Sequence, residues 1–419
     1  MLFLQWDHEA SGNVANIVGS VLGILAAVAL LGGGCQSATS SSESPSAPTT
    51  VQCESPPTDD ELRGVWVTNV DSDVLDSQEN IEAAMAFLAE HDFNVVFPVV
   101  WNDAATMYPS TVMDTLIGRH IDPQYEGRDP LWELVDAAHN HGMAVIPWFE
   151  FGFAASYKAD GGPILDRYPG WAARDMSSAL VTKNGFDWMN GLHPGPQDLL
   201  LDLILEVVHA YDVDGIQGDD RLPAMPVEGG YSDYTKALYR SDHDARDPPN
   251  DPQDKDWKQW RADKLSDFGG RVYDEVKAVD SSLVVSWAPS PYPFGYDEYL
   301  QDWPAWIDRG FTDLVHPQVY RREISEYRSF LKKQQAEKAG WDRNAVLGFY
   351  PGVLMTVGDY RMAPKELKEV ILTNRRRGIE GEVFFFYEGL RESDNALADV
   401  LKSCYSEPAT LPFDPAHVP

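Results

Sequence analysis

The sequence predicts an α/β protein built as a (β/α)8 TIM barrel with long loops at the carboxyl ends of its strands. Three observations carry this. Eight short runs rich in β-branched and aromatic residues alternate with eight longer amphipathic segments across residues 61–403. The runs are apolar almost throughout, as strands of a parallel sheet covered on both faces must be. The connections that leave strand ends are long, and most of those that return to the next strand are short.

The strand runs are 63–70 (RGVWVTNV), 94–100 (NVVFPVV), 143–151 (MAVIPWFEF), 213–220 (VDGIQGDD), 283–290 (LVVSWAPS), 314–320 (LVHPQVY), 345–352 (AVLGFYPG) and 381–390 (GEVFFFYEGL). Apolar residues at i, i+3 and i+4 mark helices over 79–91, 130–141, 197–211, 256–279, 297–309, 323–339, 364–377 and 391–403. The long connections are 101–129, 152–196 and 221–255. Within the last of these, DHDARDPPNDPQDKDW (242–257) reads as a solvated loop. A doubly wound open sheet is the competing architecture, but no Gly-rich fingerprint follows the first strand.

Composition narrows the function. The 419 residues are 43% hydrophobic, enough for a sizeable core, and the formal net charge is -33. So acidic a chain repels phosphate backbones, so nucleic acid is not an expected partner. Its surface suits a salty medium, where self-repulsion is screened. No Gly-rich loop or basic cluster points to a phosphate ligand, and no cofactor is expected.

Residues 14–34 are apolar and rich in small residues, and they run into Cys35 and a Ser/Thr/Pro-rich stretch. The expected division is a signal or anchor over 1–34, a linker over 35–60, the barrel over 61–403 and a tail over 404–419. Lipidation at Cys35 and an uncleaved membrane anchor both fit, the segment being long enough to span a bilayer. Either places the protein in the cell envelope, facing the periplasm or exterior. Cys53 and Cys404 flank the globular region and could staple it, or be two unrelated thiols. No Cys/His pattern suggests a zinc site.

The strands end in groups that a core has no use for: TNVDSD, VVWND, WFEF, IQGDD, PQVYRR and YEG. A carboxylate there is costly to bury without a purpose. The alternative is a structural ion pair, with Arg63, Arg221 or Arg321 as partners. Gln217 and Asp219 are two apart on strand four, so they share a face and Asp219 should point into the mouth. Asp219 is the candidate nucleophile. Glu150, set among Trp148, Phe149 and Phe151, is the candidate acid/base, because desolvation raises a carboxyl pKa. Asp220 is a further catalytic candidate, and Glu388 could bind substrate or supply the second carboxyl. Trp101, Tyr108, Trp148, Trp287, Tyr292, Tyr320, Tyr350 and Tyr387 can stack on sugar faces, while Asn102, Gln217 and Gln318 can hydrogen-bond sugar oxygens. A metal at Asp219 and Asp220 lacks a third ligand.

RGVWVTNVDSDVL, FNVVFPVVWNDAATMYPS, DPLWELVDAAHNHGMAVIPWFEFGF, DLILEVVHAYDVDGIQGDD, SPYPFGYDEYLQDWPAWIDRGFTDLVHPQVYRR and EVFFFYEGL, in this order, resemble the bacterial glycosyl hydrolase-like 10 family. The resemblance implies a (β/α)8 barrel, an envelope location and hydrolysis of a polysaccharide, with peptidoglycan glycan strands as the candidate. The family's strand-four position falls on Asp219. A non-catalytic glycan-binding lipoprotein and a metal-dependent polysaccharide deacetylase are the other readings.

Overall fold

The computed structural model describes Cys53 and residues 60–338, 348–405 and 407–418. The segments 1–34 and 35–52, with Cys35, lie outside the described residues, so the anchor and linker expectations receive no structural account. Among the described residues no helix is long and apolar enough to cross a membrane.

The eight expected strand positions are occupied. Strand one is Leu62–Val67, strand two Val95–Pro98, strand four Gly215–Gly218, strand five Val284–Trp287, strand six Leu314–Val315 and strand eight Gly381–Phe385. Strand three is the pair of segments Ala144–Val145 and Trp148–Phe149, and strand seven the pair Gly348–Phe349 and Gly352–Leu354. Pro147 and Pro351 interrupt these two, because proline supplies no N–H to a ladder. Pro317 ends strand six early for the same reason.

All pairings among these strands are parallel. They form two five-stranded sheets: one runs from strand seven through eight, one and two to three, the other from seven through six, five and four to three. The sheets therefore share the chain at strands three and seven. Backbone hydrogen bonds reach across both junctions: Ile146 N–H to Val96 O and Gln217 N–H to Pro147 O at one, Tyr350 N–H to Val315 O and Val383 N–H to Pro351 O at the other.

Helices follow the strands as the periodicity requires, at Gln78–Glu90, Pro130–Asn140, Pro194–Ala210, Lys255–Val279, Ile324–Lys338, Pro364–Arg376 and Tyr387–Cys404, the last broken by non-helical backbone at Glu392, Ser393, Asp394 and Asn395. The single helix expected over 297–309 is two, Phe294–Tyr299 and Trp303–Asp308, separated by Leu300 in the left-handed region (φ 60°). The long connections carry structure that periodicity did not reveal. The one after strand three holds a three-stranded antiparallel sheet of Ala154–Tyr157, Thr182–Lys183 and Phe186–Trp188. The one after strand four holds the helix Asp233–Asp242. The 242–257 stretch is anchored as well as solvated, since Pro249 O accepts from Tyr231 and Pro252 O from buried Arg261.

Side chains of alternating strand residues fill the space between the sheets. The Trp66 indole N–H donates to Gln217 Oε1 at 2.6 Å, and Gln217 Nε2 donates to Ser286 Oγ at 2.9 Å. The rings of Phe97, Trp148 and Phe385 stand 6.0–6.2 Å from Trp66. Strands one to five and eight thus meet in one interior layer. At the amino ends of strands one and eight, buried Glu61 is held by Arg63 and Arg375, and Glu382 accepts from Tyr405 and Asn374.

The 404–419 tail is bound into this end instead of trailing free. Thr410 pairs with Asp60, Ala409 O accepts from Asn94, and His417 N–H donates to Asp214. Cys53 and Cys404 form a disulfide with Cα atoms 5.0 Å apart. Because it closes a loop of 351 residues, its loss should cost about 6 kcal/mol in the chain-entropy account. Urea unfolding of Cys404→Ser should show that drop, with an unchanged midpoint counting against it.

Candidate active site

Strand four positions the centre. Its last residue is Gly218, which passes so close to the Trp287 ring that a Cβ would lie 2.4 Å from it. Asp219, Asp220 and Arg221 follow at once, at the carboxyl end where such folds build their sites. Asp219 is 1% exposed and Glu150, just past strand three, is 7% exposed. Neither is left bare. Gln318 Nε2, from the end of strand six, donates to Asp219 Oδ1 at 2.7 Å. Gln301 Nε2 donates to the Asp219 carbonyl at 3.1 Å, tying the strand-five loop to the same residue. Asn102 Nδ2, beyond strand two, donates to Glu150 Oε2 at 2.5 Å.

One guanidinium joins the carboxylates. Arg221 Nη2 lies 3.0 Å from Asp219 Oδ2 and 3.3 Å from Glu150 Oε1, while Nη1 lies 2.8 Å from Asp220 Oδ1. Arg221 Nε also donates to the Glu150 carbonyl at 3.0 Å. Its group sits over the rings of Phe186 and Phe151, 4.6 and 5.8 Å from their centroids.

Electrostatics push in one direction. Burial raises the Glu150 carboxyl above the usual range, opposed by Arg221 and Asn102. Burial and neighbouring Asp220 raise Asp219 well above that range, further than Glu150, with Arg221 opposing. Burial and the negative charge of Asp219 hold the Tyr320 phenol protonated. The raised Glu150 matches what desolvation among aromatic neighbours predicts.

The candidate residues thus divide into groups. Asp219, Glu150, Asp220, Asn102, Gln318 and Tyr320 converge. Trp148 and Gln217 lie beneath them in the interior layer, and Trp101 donates to the Gly152 carbonyl at 3.1 Å. Five candidates lie elsewhere. Tyr108 is buried with its hydroxyl on Leu203 O of the following helix, and Trp287 packs outward on Trp306 with its indole N–H on Phe311 O. Tyr387 packs edge-on to Phe87 of the first helix, and Glu388 accepts from Ser72. These face the helical layer or a different stretch of rim: Trp287 by the alternation of its strand, Tyr387 and Glu388 because they open the last helix, and Tyr108 because it lies in the loop before Thr111–Ile117. Tyr350 is likewise buried, against His316.

Sequence reading missed two members. Phe186 lies on the short strand Phe186–Trp188 inside a long connection, and Tyr299 ends the helix Phe294–Tyr299, yet Phe186 covers Arg221 and Tyr299 feels both Asp220 and Arg221. Arg221 itself was legible only as a possible ion-pair partner.

The sequence profile of the glycosyl hydrolase-like 10 family matches residues 61–360, from strand one into the connection after strand seven. The chain belongs to this family. It is 27% identical over 347 residues to glycosyl hydrolase DigH of Escherichia coli K12, covering 71% of this chain and 74% of that protein. Glycosyl hydrolase YngK of Bacillus subtilis is 21% identical over 408 residues, covering 85% and 74%. Among solved structures, the PgaB (BpsB) glycoside hydrolase domain from Bordetella bronchiseptica superposes with a TM-score of 0.57 at 14% identity, covering 82% of this chain and 99% of that one. The catalytic domain of β-amylase from Paenibacillus polymyxa gives 0.57 at 11% identity, covering 84% and 99%. These neighbours share the TIM-barrel-type α/β architecture with this glycosyl hydrolase-like 10 protein. Among its described residues, no three His, Cys, Asp or Glu side chains gather as metal ligands.

Proposed function

We propose that this protein is an envelope-anchored glycoside hydrolase that cleaves a polysaccharide, with peptidoglycan glycan strands as the candidate substrate. In this reading the two sheets are halves of one closed (β/α)8 barrel, and the carboxylates at its mouth do the chemistry. Asp219 is the nucleophile and Glu150 the general acid/base. The observation that carries the assignment is their shared contact with Arg221 Nη2, at 3.0 and 3.3 Å. That contact holds the two oxygens within about 6 Å of each other, nearer the spacing of retaining pairs (~5 Å) than the wider inverting range. Glu150, whose carboxyl burial raises above the usual range, gives its proton to the leaving oxygen as Asp219 attacks the anomeric carbon. Water then breaks the glycosyl ester with Glu150 acting as base.

Purified glycan strands incubated with the protein should yield shorter products of retained configuration, read by mass spectrometry and by NMR of the fresh anomer. Intact strands after prolonged incubation would refute hydrolysis of this substrate. The non-catalytic reading is favoured by one observation: in this arrangement Arg221 occupies both carboxylates, as a purely structural ion pair would. A protein that binds strands without cutting them would support that reading. The anchor has its own test. With Cys35 lipidated, Cys35→Ser should move the protein from the membrane to the soluble fraction, and unchanged retention would remove the lipoprotein assignment.

A further inference from the structure

Among the described residues, Arg221 is the one group that touches every carboxylate of the candidate site. It contacts Asp219 and Glu150 through a single nitrogen, Asp220 through a second, and the Glu150 main chain through the third. A planar guanidinium can do this and a point-like ammonium cannot. We propose that Arg221 is a positioning residue: it fixes Glu150 and Asp219 against each other and supplies the positive charge that the two share. This rests on the glycoside hydrolase reading above and deepens it.

The balance of charge makes the role necessary. Three carboxylates surround one guanidinium, so the site fully ionised would carry an excess of two negative charges in a buried place, which is costly. The other titratable groups facing it are phenols. Tyr320 comes from the end of strand six, and Tyr299 from the strand-five loop, where Lys183 lies 4.9 Å above its ring. Lys183 is itself held by Glu228 and Glu298, so it offers the carboxylates little relief. Arg221 therefore carries the neutralisation of the pair. Each carboxylate accepts on both oxygens, Asp219 from Arg221 at 3.0 Å and Gln318 at 2.7 Å, Glu150 from Arg221 at 3.3 Å and Asn102 at 2.5 Å. Gln318 and Asn102 are neutral, so Arg221 is the donor that brings positive charge to both.

The sign follows from the opposing causes. Arg221 lowers both carboxyl pKa values against burial, so removing its charge raises both. The acid limb of kcat, which needs ionised Asp219, and the alkaline limb, which needs protonated Glu150, should then move to higher pH together.

The test uses the described chain with Arg221→Gln and Arg221→Lys, each checked for folding by circular dichroism. Carbon-13 carboxyl NMR follows Glu150 and Asp219 through a pH titration, and kcat and KM are measured on glycan strands. Both carboxyls should titrate at higher pH in Arg221→Gln. In Arg221→Lys at least one should do so, since the ammonium cannot span the pair. Turnover should fall about 100-fold with KM little changed, as expected for misplaced groups. Carboxyl titrations identical to wild type in the folded variants would overturn the proposal, as would limbs that stay put while activity falls evenly at every pH. Should Arg221→Gln fail to fold, Arg221→Lys decides by the same criteria. If the wild type cleaves no glycan, the hydrolase reading fails, and the NMR titration still decides the role of Arg221.

Discussion

Asp219→Asn should leave a folded protein that binds glycan strands and cleaves them on the order of 10,000-fold more slowly, the scale of losing a covalent nucleophile. Asparagine is nearly isosteric, and its amide oxygen can still accept from Gln318 or Arg221. It cannot form the glycosyl ester. Arg221 retains Asp220 and Glu150 as partners, so the buried cation is not orphaned and the melting temperature should change little. Glu150→Gln gives a different pattern. Turnover of glycan strands should fall by about 100- to 10,000-fold, but aryl glycosides whose leaving groups need no proton should be spared in the first step. Near-normal cleavage by Asp219→Asn would remove the nucleophile assignment and turn attention to Asp220. Loss of all substrates alike in Glu150→Gln would argue that Glu150 acts on structure and not on proton transfer.

How much of this was legible beforehand depends on the kind of signal. Strand positions were readable because an apolar run such as NVVFPVV has few other uses, and the eight observed strands fall within or beside the runs read from sequence. The face shared by Gln217 and Asp219 was readable from a period of two, and the structure puts Gln217 in the interior layer with Asp219 above it. What periodicity could not supply was the direction of residues just past a strand. Tyr108 and Trp287 look, as text, as suited to a sugar groove as Tyr320 does. Which way each turns is set by loop backbone and by carbonyls such as Leu203 O and Phe311 O, many positions distant. The three-stranded sheet after strand three was hidden for a related reason. Its strands are two to four residues long, too short for alternation to show.

The site's geometry also depends on a residue with no side chain. Gly152 lies two places after Glu150 and adopts φ +48°, a region costly for any residue with a Cβ. A Cβ there would stand 2.2 Å from the Arg221 carbonyl oxygen and 2.8 Å from Leu222 Cβ. That same carbonyl accepts from Phe153 N–H at 2.9 Å, so it is fixed from the strand-three side. Gly152→Ala must therefore push the backbone of Arg221 away from the loop that carries Glu150. Two costs combine, a strained φ and an overpacked contact with backbone that cannot rotate aside. Together they should destabilise the fold by roughly 2–5 kcal/mol. Turnover should fall further than the folded fraction does, because displacement of Arg221 pulls Asp219 and Glu150 apart. Gly118→Ala supplies the control. Gly118 follows the helix Thr111–Ile117 with φ +74°, and a Cβ there meets nothing within 4 Å, so it carries the strain without the clash. Urea unfolding should show Gly118→Ala losing only about 1 kcal/mol, with turnover unchanged. If Gly152→Ala matches Gly118→Ala in both stability and turnover, the close approach of the two loops does not set the site's alignment.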